Sequence, residues 1–269
     1  MAIDRSEHMC FLIRALQKDM PQYGHLPLPD SEFEQWQMLR SLMNVRPPMS
    51  VNDEFLRVQN ELLQDMVLSR GVTDAMALEG ASIDPRIALW QGDITTLRCD
   101  AIVNAANSAL LGCFSPLHGC IDNIIHTMSG VQLRLECDRL MRAQGHEEPT
   151  GVAKLTPGYN LPAKYVLHTV GPIIFGPLTR EDEALLASCY RSCLALAEQH
   201  NCQSIAFCCI STGVFRFPPA RAAEIAVRET MNFLQGNSTL RRVVFNVFKD
   251  SDLDIYQRIL HRKAQFQNH

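Results

Sequence analysis

The spacing of apolar residues divides the chain into two regions. Up to about residue 75 the spacing is helical: Phe33, Trp36, Leu39, Leu42 and Met43 fall on one face, with Asp30 or Ser31 as a cap. A second helix follows Pro47-Pro48, where Phe55, Val58, Leu62 and Met66 share a face and Gly71 supplies a stop. This segment holds no cluster of reactive side chains. It is expected to be a helical extension, residues 1–75, packed on a main domain, residues 76–269.

From Arg86 onward short apolar runs alternate with longer amphipathic ones, the pattern of an α/β domain. Residues 87–90, 101–103, 165–170, 204–210 and 243–248 predict strands; residues 121–141, 181–199, 219–234 and 253–262 predict helices. The strands at 205–210 and 243–247 are almost continuously apolar, which predicts a sheet covered on both faces. The expected architecture is a three-layer α/β/α sandwich.

Composition narrows the function classes. With 46% hydrophobic and 20% charged residues over 269 positions, the chain can bury one large core, and disorder as its main state is excluded. A net charge of −4 offers no basic face to duplex nucleic acid, so no nucleic-acid partner is expected and an anionic ligand must be bound locally. The first twenty residues carry Asp4, Glu7 and Asp19, unlike a signal peptide, and no apolar run reaches the length of a membrane span. The ten cysteines are therefore expected as reduced thiols of a cytoplasmic protein, most of them small buried apolar residues.

Three strand ends carry candidate chemistry. Ile210-Ser211-Thr212-Gly213-Val214-Phe215 joins an apolar strand to a helix, where small residues let backbone N–H groups face an anion such as a diphosphate. A tight turn with no ligand has the same composition. Gly92-Asp93-Ile94-Thr95 places a carboxylate and a backbone N–H where they can read an exocyclic amine and a ring nitrogen, although Gly-Asp is also a common turn pair. In Asn104-Ala105-Ala106-Asn107, a carboxamide can donate to and accept from a sugar hydroxyl; a capping role for one of the pair is the alternative.

In this order and at these positions, the three motifs resemble the macrodomain family over roughly residues 86–248. Gly151-Val152-Ala153 leading to Thr156-Pro157-Gly158-Tyr159, and His168-Thr169-Val170-Gly171-Pro172, are similar to it as well. The resemblance implies a sandwich with a mixed central sheet that binds ADP-ribose. Asp93 and Ile94 would meet the adenine, and Ser211, Thr212, Gly213, Val214 and Phe215 the diphosphate. Asn107, Cys120, Ile121 and Asp122 would surround the distal ribose, with Asn107 and Asp122 as catalytic residues. The implied activity is hydrolysis of mono-ADP-ribose from modified proteins, from an aspartate or glutamate side chain.

One loop departs from the family pattern. Where hydrolytic macrodomains have a run of glycines, this chain reads Gly112-Cys113-Phe114-Ser115-Pro116-Leu117-His118-Gly119-Cys120-Ile121-Asp122. Cys113, His118 and Cys120 form a ligand set suited to one Zn²⁺ ion with an open fourth position, and the arrangement resembles the zinc-containing branch of macrodomains. Bacterial members of that branch are associated with sirtuin-type ADP-ribosyltransferases and a lipoyl-carrier protein similar to the glycine cleavage H protein. That implies such a protein, mono-ADP-ribosylated, as a partner. The alternative is a non-catalytic ADP-ribose reader with a structural zinc.

Asp122 can orient a water, hold a ligand imidazole or favour the start of a helix. His126 and His168 are expected as packed or hydrogen-bonded histidines, Cys189 and Cys193 as core, Cys208-Cys209 as part of an apolar strand, and residues 180–183 as a helix start.

Overall fold

The computed structural model describes residues 3–236 and 238–261. Two-residue strands β1 (Thr73–Asp74) and β3 (Leu97–Arg98) pair in parallel. The main sheet contains β2 (Ile87–Gln91), β4 (Ala101–Ala106), β5 (Ala153–Pro157), β6 (Tyr165–Val170), β7 (Ser204–Phe207) and β8 (Arg242–Val247). Its order is β2-β8-β7-β4-β6-β5, all neighbours parallel except β5, which runs antiparallel to β6 at one edge. Parallel strands direct all their carboxyl ends to one side, where ligands of open α/β sheets bind. The loops after β2, β4 and β7 meet there.

Besides three single-turn 3-10 helices, the described residues form eight α-helices: α1 (Arg5–Asp19), α2 (Glu32–Val45), α3 (Asp53–Arg70), α4 (Ile121–Ser129), α5 (Val131–Gln144), α6 (Arg180–Gln199), α7 (Pro219–Gln235) and α8 (Asp250–Leu260). Helices α6, α7 and α8 pack side by side on one part of the sheet; α4 and α5 pack against β4 and β5, with α2 against α4. One apolar core runs from Met9 in α1 to Leu260 in α8, so the N-terminal helices share it rather than form a separate unit. No helix among the described residues is long and apolar enough to cross a membrane.

The structure departs from the sequence pattern at several points. Ser31 caps α2 as expected, but Phe33 is 72% exposed and lies off the buried face. The predicted helix over 121–141 is two helices meeting at Gly130, where the Gln59 side chain of α3 accepts the Val131 N–H at 2.9 Å and caps the second. The strand beginning at Ser204 ends at Phe207, so Cys208 and Cys209 lie beyond it. Strand β5 carries too little apolar alternation to stand out, whereas α1 lies within the region read as helical, its buried Met9, Leu12, Ile13 and Leu16 at helical spacing. Helix α8 begins at Asp250, and the predicted end at Arg262 lies outside the described residues.

Arg134 of α5 joins the helical extension to the sheet. Its buried guanidinium donates to the Met43, Asn44 and Arg46 carbonyls at the end of α2 and to the Leu111 carbonyl, and lies 4.2 Å from the Phe114 ring centre. Carbonyls at a helix end lack intrahelical partners, so one charged group here satisfies several acceptors. Arg134→Met is expected to cost roughly 3 kcal/mol, because those carbonyls would be left buried and unpaired. Urea unfolding checks this, and an unchanged midpoint would contradict it.

Candidate functional site

A cleft of 670 Å³ opens at the carboxyl ends of β2, β4 and β7, and every site residue singled out in the sequence borders it. Asp93 and Ile94 sit at one end. Ser211, Thr212, Gly213, Val214 and Phe215 form one wall, and Asn107, Cys113, His118, Cys120, Ile121 and Asp122 the other end.

At the first end, the carboxylate of Asp93 already serves the fold. Its Oδ1 accepts from the Thr95 N–H at 2.9 Å and hydroxyl at 2.7 Å, and its Oδ2 pairs with Arg70 Nη1 of α3 at 2.9 Å. What remains for a ligand is a lone pair on a carboxylate fixed in orientation.

The wall after β7 is a strained turn. Ser211 and Arg216 adopt left-handed φ values of 64° and 61°, uncommon for residues with a side chain. The N–H groups of Gly213, Val214 and Phe215 have no backbone acceptor among the described residues, and the buried Ser211 hydroxyl has no partner there either. Unpaired donors gathered at a strand end fit an anionic ligand. Gly171 permits this turn: a Cβ there would lie 2.0 Å from Ser211 Oγ.

At the far end, Asn104 and Asn107 both donate to Asp122, at 2.8 Å to Oδ1 and 3.3 Å to Oδ2. Burial pushes the Asp122 carboxyl up to about 6, against the Asn104 hydrogen bond and the positive charge of Arg134. Asn104 also donates to His168 Nδ1 at 3.2 Å, which leaves the Nε2 proton of His168 for Thr156 Oγ1 at 3.0 Å. His168, His126 and Cys137 bring their donor atoms together in the interior, a second group of metal-ligand type. His168 has its own hydrogen bonds; His126 has none, with Asp122 Oδ1 standing 3.5 Å from its Nε2.

The loop from Gly112 to Cys120 begins packed on His126. Gly112 has φ 79°, and a Cβ there would lie 2.8 Å from the His126 ring, so only glycine fits. Cys120 is the N-cap of α4, its thiol accepting from the Asn123 N–H at 3.4 Å. Burial pushes that thiol up to about 11 in the absence of a cation. The donor atoms of Cys113, His118 and Cys120 all lie within 4.8 Å of one another, with Cys113 Sγ and His118 Nδ1 3.7 Å apart. Sulfur and nitrogen ligands on one tetrahedral Zn²⁺ would stand about 3.6 Å apart. The residues therefore fit the ion, whose charge would reverse the preference for the protonated thiol.

Several cleft residues escape a reading of the sequence. Phe248 and Lys249 follow β8 directly and border the cleft, a place that strand-end logic could have found. Arg70, Arg40 and Asn44, which reach the site from the helical extension, carry no such signal.

Residues 103–226 match the family described as Macro domain. The chain is 52% identical to a protein of Treponema medium named protein-ADP-ribose hydrolase, over 95% of this chain and 99% of that one. It is 50% identical to a Staphylococcus aureus protein of the same name, over 95% of this chain and 96% of that one. Among solved structures it is similar to a Trypanosoma brucei macrodomain in complex with ADP-ribose, with a TM-score of 0.63 and 32% identity, covering 82% of this chain and 94% of that one. The chain belongs to the macro domain family.

Burial holds the His168 imidazole near 4, below its ordinary 6.5. The unfolded chain therefore binds the proton more tightly, and the stability that neutral His168 contributes above pH 6.5 is lost as pH falls toward 4. The slope is about 1.4 kcal/mol per pH unit. Between pH 7 and pH 5 the parent chain is expected to lose about 2 kcal/mol more than His168→Gln. Urea titrations at the two pH values measure this, and equal losses would refute it.

Proposed function

We propose that this chain is a protein-ADP-ribose hydrolase that removes mono-ADP-ribose from modified proteins and depends on one zinc ion. The observation that carries this reading is the convergence at the far end of the cleft. Asn107 and Asp122 are hydrogen-bonded to each other, and the Cys113, His118 and Cys120 donors flank the same end. The names of the relatives at about half identity support the activity.

In this reading Asp93 and the Ile94 N–H hold the adenine, and the N–H groups of Gly213, Val214 and Phe215 hold the diphosphate with Ser211 and Thr212. Asn107, Ile121 and Cys120 seat the distal ribose. Asp122, buried but bordering the cleft, accepts a proton from the attacking water, its orientation fixed by two carboxamides. Cys113, His118 and Cys120 would hold zinc, which supplies a Lewis acid beside the ribose when bound. We assign the modified side chain as an aspartate or glutamate and the carrier as a lipoyl-carrier protein similar to the glycine cleavage H protein. Both rest on the family resemblance. A cytoplasmic setting would keep the ligand thiols reduced, and all ten cysteines are free. We also place the division between helical extension and macrodomain near residue 75, a few residues after α3 ends at Arg70.

The test follows release of ADP-ribose from a mono-ADP-ribosylated protein by the full chain loaded with zinc. Asn107→Ala and Cys120→Ala are each expected to slow release by on the order of 100-fold. A parent chain that binds ADP-ribose but releases none from the modified protein would instead be a reader module. In parallel, metal analysis is expected to find close to one zinc per chain, lost in Cys113→Ala. A metal-free protein purified without chelators would remove the zinc dependence from the proposal.

A further inference from the structure

The helical extension has no reactive side chain in the cleft, yet two residues of α2 grip the loop that carries Cys113, His118 and Cys120. Arg40 Nη2 donates to the His118 carbonyl and to Asn123 Oδ1, both at 2.8 Å. Asn123, fully buried at the start of α4, passes that contact on: its Nδ2 donates to the Cys113 carbonyl at 3.4 Å and the Ser115 carbonyl at 3.0 Å, and its N–H to Cys120 Sγ at 3.4 Å. Asn44, also buried, accepts the Leu117 N–H at 3.0 Å and anchors its own Nδ2 on Thr127 at 3.0 Å.

Each of the three ligand residues is thus reached directly from Arg40 or through Asn123. The loop does little of this for itself. From residue 113 to 120 its internal backbone hydrogen bonding among the described residues is one long contact, His118 N–H to the Ser115 carbonyl at 3.3 Å. Leu117 is held at a left-handed φ of 57°, a conformation that costs on the order of 1 kcal/mol and persists only where surroundings impose it. The Asn44 oxygen on the Leu117 N–H is such an imposition.

We propose that Arg40 and Asn44 are positioning residues for zinc: α2 holds the loop in its ligand-presenting shape before the metal arrives. The inference rests on the zinc reading above and gives the extension a task within the same site. A ligand set held in place binds more tightly, because less ordering remains to be done on binding. Outer partners of metal ligands typically contribute 10- to 100-fold in affinity. A helix that merely stabilised the domain would affect folding and leave zinc affinity alone.

The test uses the full chain with Arg40→Ala and Arg40→Lys, zinc alone as the probe, and chelator competition to read affinity. Binding of free ADP-ribose to the metal-free protein serves as the control. Arg40→Ala is expected to weaken zinc about 10- to 100-fold. Arg40→Lys should recover part of the loss, because a single nitrogen, Nη2, makes both bonds and an ammonium can replace it, though on a shorter stem without the planar guanidinium that fixes its place. ADP-ribose affinity should stay within about twofold in both variants, since the carboxamides and the loop after β7 are untouched. Zinc affinity within twofold of the parent chain would overturn the inference, and so would parallel losses of zinc and ADP-ribose, the mark of a damaged fold. Failure of the parent chain to bind zinc would overturn the metal reading and this inference together; parent binding with an unaffected variant would overturn this inference alone.

Discussion

The structure of the site depends on one buried carboxylate. Asp122, at the first turn of α4, accepts from Asn104 within β4 and from Asn107 just beyond it. A strand end and a helix start are thereby fixed to each other through a charged hydrogen-bond centre, and the intervening loop is closed into a defined span. Burial works against that charge, and the carboxamides offset part of the penalty by donating to it. The arrangement also sets the direction of α4, whose N-cap is Cys120, so a candidate metal ligand and a candidate catalytic group share one rigid element.

Around this centre the fold divides the work. The parallel register of β2, β8, β7, β4 and β6 aligns their carboxyl ends, and this alone brings residues more than a hundred positions apart to one cleft. The turn after β7 holds strain and unpaired donors, features that a folded chain keeps where a ligand uses them. Behind the loop with the thiols, α2 and α5 supply backing: Arg40 and Asn44 hold its far side, and Arg134 ties its start to the end of α2.

Strands β2, β4, β6, β7 and β8 and the three motifs at strand ends were legible because each is a local pattern: an apolar run, then small polar residues where the chain turns. The thiol and imidazole spacing in 113–120 was legible for the same reason. Gly130 was not read as a break, since apolar spacing continues across it and the cap of the second helix comes from Gln59, 71 residues before Gly130. Arg70 on Asp93 and Arg40 on the metal loop were equally hidden. A surface helix carries such arginines as a matter of course, and only the packing of α2 and α3 against the sheet domain selects these two. His126 was expected as a packed histidine, and it is; its lack of a hydrogen bond follows from its place under Gly112 and could not be read from its neighbours in sequence.

The proposed function turns on one open-coordinate metal ion held by Cys113, His118 and Cys120 at the end of the cleft assigned to the distal ribose. The most direct measurement is anomalous scattering at the zinc absorption edge from a crystal of the full chain with ADP-ribose. The proposed zinc site predicts a single peak bounded by Cys113 Sγ, a ring nitrogen of His118 and Cys120 Sγ, at roughly 2.0–2.3 Å from each, with the distal ribose beside it rather than a fourth protein ligand. No peak in that loop, or a peak closed by four protein donors and remote from the ribose, would contradict it.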